Sequence, residues 1–166
     1  HEDQYVYRVP PDIDETAAAA ANCALSQVIH GLDEVQVTMD ETVVIQGAGG
    51  LGLNAAAVAT EIGAETIVVD GVAQRLDRAR EVGADYTINL TEYDTVEARR
   101  DRVNELTDGL GADVAVEVTG VPAAIDEGFQ LLGKGGRYLV MGNIIPGKEA
   151  TIDPGRAVRK SISVTM

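Results

Sequence analysis

The sequence is poor in cysteine and lysine and has no long apolar run, and each shortage excludes a class of protein. A single cysteine, Cys23, excludes an internal disulfide framework. No apolar run reaches the roughly 20 residues that a membrane span needs. Three lysines stand among only 13 basic residues, and a net charge of −14 would repel nucleic acid and anionic membranes. We expect a soluble, cytoplasmic protein that binds neither.

The acidic excess, 27 acidic against 13 basic residues, has two interpretations. One is a halophilic protein adapted to concentrated salt, where screening reduces self-repulsion. The other is an ordinary acidic surface.

A repeated Gly-Ala-acid triplet divides the chain into alternating helices and strands. Gly63, Gly83 and Gly111 each open a Gly-Ala-acid triplet that follows a helical or turn-rich pattern and precedes an apolar run. The pattern predicts helices over 50–62, 73–82, 95–107 and 122–132, and strands over 42–47, 65–70, 86–89, 113–118, 137–141 and 161–166. Apolar runs such as TVVIQ and DVAVEV are typical of parallel strands covered on both faces. We predict an α/β fold: one domain built on a doubly wound, mostly parallel six-stranded Rossmann sheet.

The residues before this alternation predict a lead-in helix. Asp14 is a candidate N-cap for ETAAAAANCALSQVIHGL, and Gly31 is a candidate for its end. The later charged helix over 95–107 is expected to present a solvated outer face.

The stretch GAGGLG, Gly47–Gly52, directly follows the first core strand and opens a helix. In a G-x-G-x-x-G at this place, Gly47 permits the tight turn, Gly49 lets the backbone approach a pyrophosphate, and Gly52 allows close packing of helix on strand. The free N–H groups at the helix start, those of Gly50 and Leu51 included, would hold the phosphates.

Asp70 ends the second core strand, 18 residues after Gly52. A carboxylate there can accept hydrogen bonds from the adenosine ribose and would repel a 2′-phosphate, which favours NAD over NADP. Asp70 can instead be a turn or N-cap residue. Arg75 can pair with a 2′-phosphate, or it can lie along the adenosine ribose and the diphosphate.

The segments after the fourth and fifth strands are further candidates for cofactor contact. A ligand of this fold lies across the carboxyl ends of the strands at the switch point. The nicotinamide and its ribose would then be flanked by Val118, Thr119, Gly120, Met141, Gly142 and Asn143. The alternative is that these residues only form ordinary loops and contact no ligand.

With these motifs the chain resembles the cofactor-binding half of the zinc-dependent medium-chain alcohol dehydrogenases, in the branch near polyol and threonine dehydrogenases. The matching pieces are VPPDIDETAAAAANCALSQVIHGL, ETVVIQGAGGLG, VVDGVAQRLDRAREVGAD, ADVAVEVTG and GGRYLVMGN. The resemblance implies NAD bound by the glycine motif and Asp70, and an alcohol or aldehyde substrate. It also implies that Cys23 is one ligand of a catalytic zinc in the full-length enzyme; without the family, Cys23 is a small buried helix residue.

The family's catalytic-domain motifs do not occur in this sequence. We therefore expect residues 1–166 to be one dinucleotide-binding domain excised from a longer enzyme, with a lead-in over 1–40 and a Rossmann core over 41–166. The catalytic zinc domain would be absent from this chain, which would hold no catalytic residue and bind cofactor without activity.

The last strand, SISVTM, alternates apolar and small polar residues, and an open sheet edge invites pairing. In the resembling family this edge joins two cofactor domains, so we predict a homodimer through 161–166, with a capped monomeric edge as the alternative. Two other functions stay open: a stand-alone nucleotide-sensing module that regulates a partner, and a methyltransferase-like domain.

Overall fold

The structure is a computed structural model that describes residues 8–166, so residues 1–7 of the expected lead-in lie outside the described residues. Its helices are α1 (Glu15–Ala20), α2 (Ser26–Glu34), α3 (Gly50–Ile62), α4 (Ala73–Glu81), α5 (Val96–Leu106), α6 (Pro122–Leu131) and α7 (Pro154–Lys160). Its strands are β1 (Thr42–Gln46), β2 (Glu65–Asp70), β3 (Tyr86–Asn89), β4 (Ala112–Glu117), β5 (Leu132–Val140) and β6 (Ser163–Thr165). All predicted strands, and the four helices predicted after residue 40, are present. Their ends differ by at most two residues, except at the start of β5.

The six strands form one parallel sheet in the order β3-β2-β1-β4-β5-β6. The predicted doubly wound Rossmann fold is confirmed. Because β1 is central and the chain runs first to one side and then to the other, the switch point lies between β1 and β4. No helix over residues 8–166 is long and apolar enough to cross a membrane.

Both faces of the sheet are buried, which explains the continuous apolar strands. On β1, Val43 and Ile45 belong to the cluster that includes Ala55 of α3, whereas Val44 belongs to the opposite cluster with Val103 of α5. A strand with helices on both faces has no solvent side on which polar residues would be favoured.

The Gly-Ala-acid triplets are helix-to-strand turns, as predicted. Their glycines take the left-handed conformation, with φ values of +94°, +107° and +76° along the chain. Two of the three acids have a role that the sequence did not reveal. Asp85 accepts a hydrogen bond from the backbone N–H of Thr66 at 2.8 Å, and Asp113 accepts one from the N–H of Thr42 at 2.9 Å. Each carboxylate therefore ties its turn to a neighbouring strand at the amino edge of the sheet.

The lead-in helix differs from the prediction in its middle and at its end. Asp14 does cap α1, accepting from the N–H of Thr16 at 2.8 Å. A π-helical turn over Ala21–Leu25 then separates α1 from α2. At this turn the hydroxyl of Ser26 donates to two backbone carbonyls, of Asn22 and Cys23, both at 3.2 Å.

Gly31 does not end the helix, because it lies inside α2. A Cβ built there would meet the sulfur of Met141 at 2.7 Å and a methyl carbon of Leu139 at 2.9 Å. The glycine serves close packing of α2 on the side chains at the end of β5.

Three differences occur near the end of the chain. Strand β5 begins at residue 132, five residues earlier than predicted, because its pairing with β4 shifts register between Ala112 and Val114. Helix α7 was not predicted, although Asp153 caps it and Pro154 occupies its first turn, a recognisable start signal. Strand β6 covers only 163–165, because Ser161 ends α7 in the left-handed conformation.

Candidate cofactor-binding site

The glycine loop sits between β1 and α3 at the carboxyl edge of the sheet. Gly47 has a φ of +108°, a conformation that favours glycine. A Cβ on Gly52 would collide with the carbonyl oxygen of Gly47. The fold itself therefore requires glycine at both positions, since a side chain would push α3 away from β1.

In the middle of the loop, at Gly49 and Gly50, the described protein does not itself require glycine. Gly49 has an ordinary φ of −76°, and a Cβ on Gly49 or Gly50 would meet no described atom within 4 Å. No side chain caps the start of α3. The first N–H groups of a helix lack intrahelical acceptors and lie at its positive end. Leu51 packs its side chain on the core, so its backbone is the part that faces this space.

Asp70 is buried at 7% exposure and holds the glycine loop in place. One carboxylate oxygen accepts from the N–H of Ala48 at 2.8 Å, and the other accepts from the N–H of Val72 at 2.8 Å. The Asp70 side chain therefore stabilises the turn after β2 and links the end of β2 to the glycine loop. Each oxygen keeps further acceptor capacity, since a carboxylate offers about four lone-pair positions. The guanidinium of Arg75, which is exposed, lies 3.8 Å from the same carboxylate.

The loops after β4 and β5 touch each other. A Cβ on Gly120 would lie 2.7 Å from the carbonyl oxygen of Asn143, and one on Gly142 would collide with the N of Gly120. Val118 lies against the glycine loop, since one of its methyl carbons is 3.5 Å from the Cβ position of Gly47. Thr119 and Asn143 are exposed. The side chain of Met141 faces Gly31 on α2 instead of the glycine loop.

Glu117, which sequence reasoning missed, lies beneath these two loops. It is the last residue of β4 and is 0% exposed. Its Oε1 accepts from the N–H of Thr119 at 2.6 Å, from the hydroxyl of Thr119 at 2.5 Å and from the N–H of Gly120 at 2.8 Å. Within residues 8–166, its Oε2 has no hydrogen-bond donor. A glutamate that follows the apolar run Val114–Val116 and is separated from Thr-Gly by a single valine was the available signal.

A cavity of about 200 Å³ opens beside the glycine loop, on the α5 and α6 side of the sheet. Its walls include Gly47, Val69, Leu90 and Thr119. The cavity is also lined by a buried ion pair that joins α5 to α6. Arg99 and Glu127 are bidentate, at 2.6 and 3.1 Å, and their side chains are only 9% and 10% exposed. The expectation that helix 95–107 presents only a solvated face is therefore wrong at Arg99.

Cys23 does not have the metal partners that a zinc site needs. It lies in the π-helical turn and is exposed, which contradicts the alternative of a buried packing residue. In the described part of the chain, no group of three or more His, Cys, Asp or Glu side chains is placed to hold a metal. Zinc in proteins takes three or four such ligands. The described residues therefore do not form a complete zinc site by themselves.

Comparisons with known proteins agree with this architecture. A family profile described as zinc-binding dehydrogenase matches residues 50–166. A 5-exo-hydroxycamphor dehydrogenase from Pseudomonas putida is 43% identical over 138 residues, which cover 82% of this chain and 38% of that protein. An erythritol/L-threitol dehydrogenase from Mycolicibacterium smegmatis is 38% identical over 149 residues, covering 89% and 39%.

Among solved structures, an alcohol dehydrogenase from Thermotoga maritima superposes with a TM-score of 0.90 at 38% identity. That match covers 95% of this chain and 44% of the other. The chain thus spans about two-fifths of the length of the proteins it matches. The predicted resemblance is confirmed: the chain belongs to the zinc-binding dehydrogenase family.

Proposed function

We propose that this chain is the NAD-binding domain of a zinc-dependent alcohol or polyol dehydrogenase. One observation carries the proposal. Gly52 is demanded by the fold, whereas Gly49, in the same motif, is demanded by nothing in the described protein and faces open space at a helix start. A ligand backed closely against the backbone, as a pyrophosphate is, explains why a side chain is missing there.

The residues of this chain bind and orient the cofactor. The N–H groups of Gly50, Leu51 and Gly52 would hold the pyrophosphate, and Asp70 would accept from the adenosine ribose with the capacity its two backbone bonds leave free. The adenine base would enter the cavity beside the apolar side chains of Val69 and Leu90.

The nicotinamide half would extend across the switch point toward β4 and β5. There it would lie between Val118, Thr119 and Gly120 on one side and Met141, Gly142 and Asn143 on the other. When bound, the nicotinamide supplies the carbon that accepts or donates hydride. The loops of this chain exclude water from it and fix its orientation.

The charge around Asp70 favours NAD over NADP. A 2′-phosphate would place up to two further negative charges beside a buried carboxylate whose only nearby cation among residues 8–166 is Arg75, at 3.8 Å. Because the Arg75 side chain is 56% exposed, solvent screens its attraction.

The reaction belongs to the whole protein, of which this chain is one part. We propose hydride transfer between a primary or secondary alcohol, polyols included, and NAD. Residues 1–40 would form a lead-in, residues 41–166 the Rossmann core, and the catalytic zinc domain would lie elsewhere. Cys23 would contribute one zinc ligand, for which its exposure leaves the thiol accessible.

Three further features are proposed on composition and on the sheet edge. The net charge of −14 supports a halophilic protein, and the single cysteine supports a cytoplasmic one. Within the described sheet β6 has no neighbour on its outer side, and its Val164 is 41% exposed, which supports a homodimer through 161–166. Sedimentation in molar salt tests the dimer: a concentration-dependent shift to twice the monomer mass is expected, and monomers at every concentration contradict it.

Titration with NADH and NADPH in molar salt tests the cofactor, with the nicotinamide's own fluorescence as the signal. Because the chain has no tryptophan, the background is low. We expect saturable binding of NADH, weaker binding of NADPH, and loss of both in Gly49→Val. Gly109→Ala is the matched control, because Gly109 lies in the turn before β4 at the opposite edge of the sheet. Tighter binding of NADPH would contradict the role given to Asp70, and no binding of either would contradict the site.

A further inference from the structure

The loops after β4 and β5 are held together by backbone contact. Gly120 approaches the backbone of Asn143, and Gly142 approaches both Gly120 and the Oε2 atom of Glu117. No side chain separates the loops at this point, so their spacing depends on what lies beneath them.

Glu117 contacts both loops at once. Its Oε1 gathers the three donors of Thr119 and Gly120, and the Thr119 hydroxyl in turn accepts from the N–H of Val121 at the start of α6. The backbone carbonyl of Glu117 accepts from the N–H of Met141 at 2.9 Å.

The same carbonyl also accepts from the N–H of Gly142 at 3.0 Å. An apolar residue could fill the space beneath the loops, but it could not accept from the turn of Thr119 and Gly120, whose donors would then be left without this partner. The carboxylate therefore holds the turn of Thr119 and Gly120, while the backbone carbonyl of the same residue holds 141–142.

The location of Glu117 assigns it to one half of the cofactor. Asp70 ends β2, on one side of β1, whereas Glu117 ends β4, on the other side of the switch point. We propose that Glu117 is a positioning residue for the nicotinamide half of the cofactor, acting through the loops 118–120 and 141–143 without touching the ring. This role rests on the proposed function, since it presupposes a dinucleotide across the switch point.

Glu117→Gln separates this role from general stability. The amide oxygen still accepts from Thr119 and Gly120, so the turn after β4 and the cavity wall persist. The amide nitrogen replaces Oε2 against Gly142 and brings two N–H groups into a fully buried site, where they need acceptors that the carboxylate oxygen did not need. The disturbance therefore falls on the loop 141–143.

The readout is a pair of affinities measured by calorimetry, for NADH and for ADP-ribose, which lacks the nicotinamide. In Glu117→Gln we expect NADH to bind roughly 3- to 10-fold more weakly, the equivalent of one lost polar contact. ADP-ribose should bind with less than a twofold change. Equal losses for both ligands, or no loss for either, overturn the proposal.

A control variant and a second variant keep the test decisive. Glu41→Gln removes a carboxylate that is paired with Arg137 and with the N–H of Thr38 at the start of β1. It should lower stability and leave both affinities unchanged. Gly142→Ala drives a methyl group against both Oε2 and the backbone N of Gly120, so it disturbs the same contact between the loops and should reproduce the NADH-selective loss if Glu117→Gln does not fold.

Hydrogen exchange of the ligand-free chain gives a test that does not depend on cofactor binding. Faster exchange in Glu117→Gln at the amides of 141–142, with the amides of 119–120, β2 and α3 unchanged, supports the positioning role. Uniformly faster exchange overturns it. If the wild-type chain binds neither NADH nor ADP-ribose, the proposed function is contradicted. If the wild-type chain binds both, but Glu117→Gln does not weaken NADH more than ADP-ribose, only the role of Glu117 is contradicted.

Discussion

Gly49 and Gly52 belong to one motif but answer to different constraints, so alanine at each position should have opposite consequences. At Gly49 the φ of −76° suits alanine, and the added methyl group would meet no described atom within 4 Å. Alanine restricts the unfolded chain, which stabilises a protein by about 0.4–1 kcal/mol where the native backbone is compatible. At Gly52 the methyl group would overlap the carbonyl oxygen of Gly47.

The overlap at Gly52 cannot be relieved by a side-chain rotation, because both atoms are backbone-bound. Overpacking of this kind costs about 1–3 kcal/mol, and more when a helix must move. For a chain of 166 residues each kcal/mol shifts Tm by about 2–4 °C. We therefore expect Gly52→Ala to lower Tm by roughly 2–12 °C, and further if α3 moves, and Gly49→Ala to raise it slightly or leave it unchanged.

Binding of NADH should reverse this order of severity at Gly49. If the methyl group of Gly49→Ala points at the pyrophosphate, the same overpacking cost of about 1–3 kcal/mol falls on the complex, which weakens binding roughly 5- to 160-fold. Thermal unfolding and fluorescence titration in the same buffer check both quantities. Gly109→Ala, at a φ of +84° on the opposite edge, should cost stability and leave binding intact. A Gly49→Ala chain that binds NADH like wild type would refute the ligand-based explanation of that glycine.

Other predictions concern the buried polar groups. Burial, with Glu117 nearby, raises the pKa of Tyr138, so folded protein keeps the phenol proton above pH about 10, where unfolded tyrosine loses it. Stability should fall there with rising pH, and less steeply in Tyr138→Phe by urea unfolding. At neutral pH Tyr138→Phe should cost about 1–3 kcal/mol, since Gln46 Oε1 loses the hydroxyl at 2.8 Å. Removing one member of the buried Arg99–Glu127 pair should cost about 3–5 kcal/mol in urea unfolding, whereas Arg99→Met with Glu127→Leu should recover most of it; equal single and double losses would contradict this.

The sheet could be predicted because its signals are local. The triplets at Gly63 and Gly83 each place a helix end and a strand start within a few residues, and the inner residues of the central strands are apolar on both faces. The glycine motif was also recognisable, since its spacing and its place after a strand are visible in the sequence. The sequence does not show which glycines of the motif the fold needs. That Gly52 is needed, and Gly49 is not, became visible only from the contact of Gly52 with Gly47 in the structure.

The contacts that could not be predicted join residues far apart in the chain. Arg99 pairs with Glu127, 28 residues later on another helix, and nothing in the charged pattern of α5 distinguishes it from its solvated neighbours. Gly31 resembles a helix end until the side chains of Leu139 and Met141 are seen against it. The π-helical turn around Cys23 has no turn residue to mark it.

The acidic residues of this chain fall into two populations with opposite responses to salt. Exposed pairs such as Arg78–Glu81 lie in solvent, so molar salt screens them almost completely. Asp70 and Glu117 are buried, and each accepts hydrogen bonds from backbone N–H groups of the loops at the carboxyl edge. Short hydrogen bonds shielded from solvent are screened far less. The loops can therefore stay organised for the cofactor at salt concentrations that remove most surface attraction, and loops ordered in advance lower the entropic cost of binding. A strongly acidic surface and a preformed site of the proposed kind are compatible in one chain for this reason.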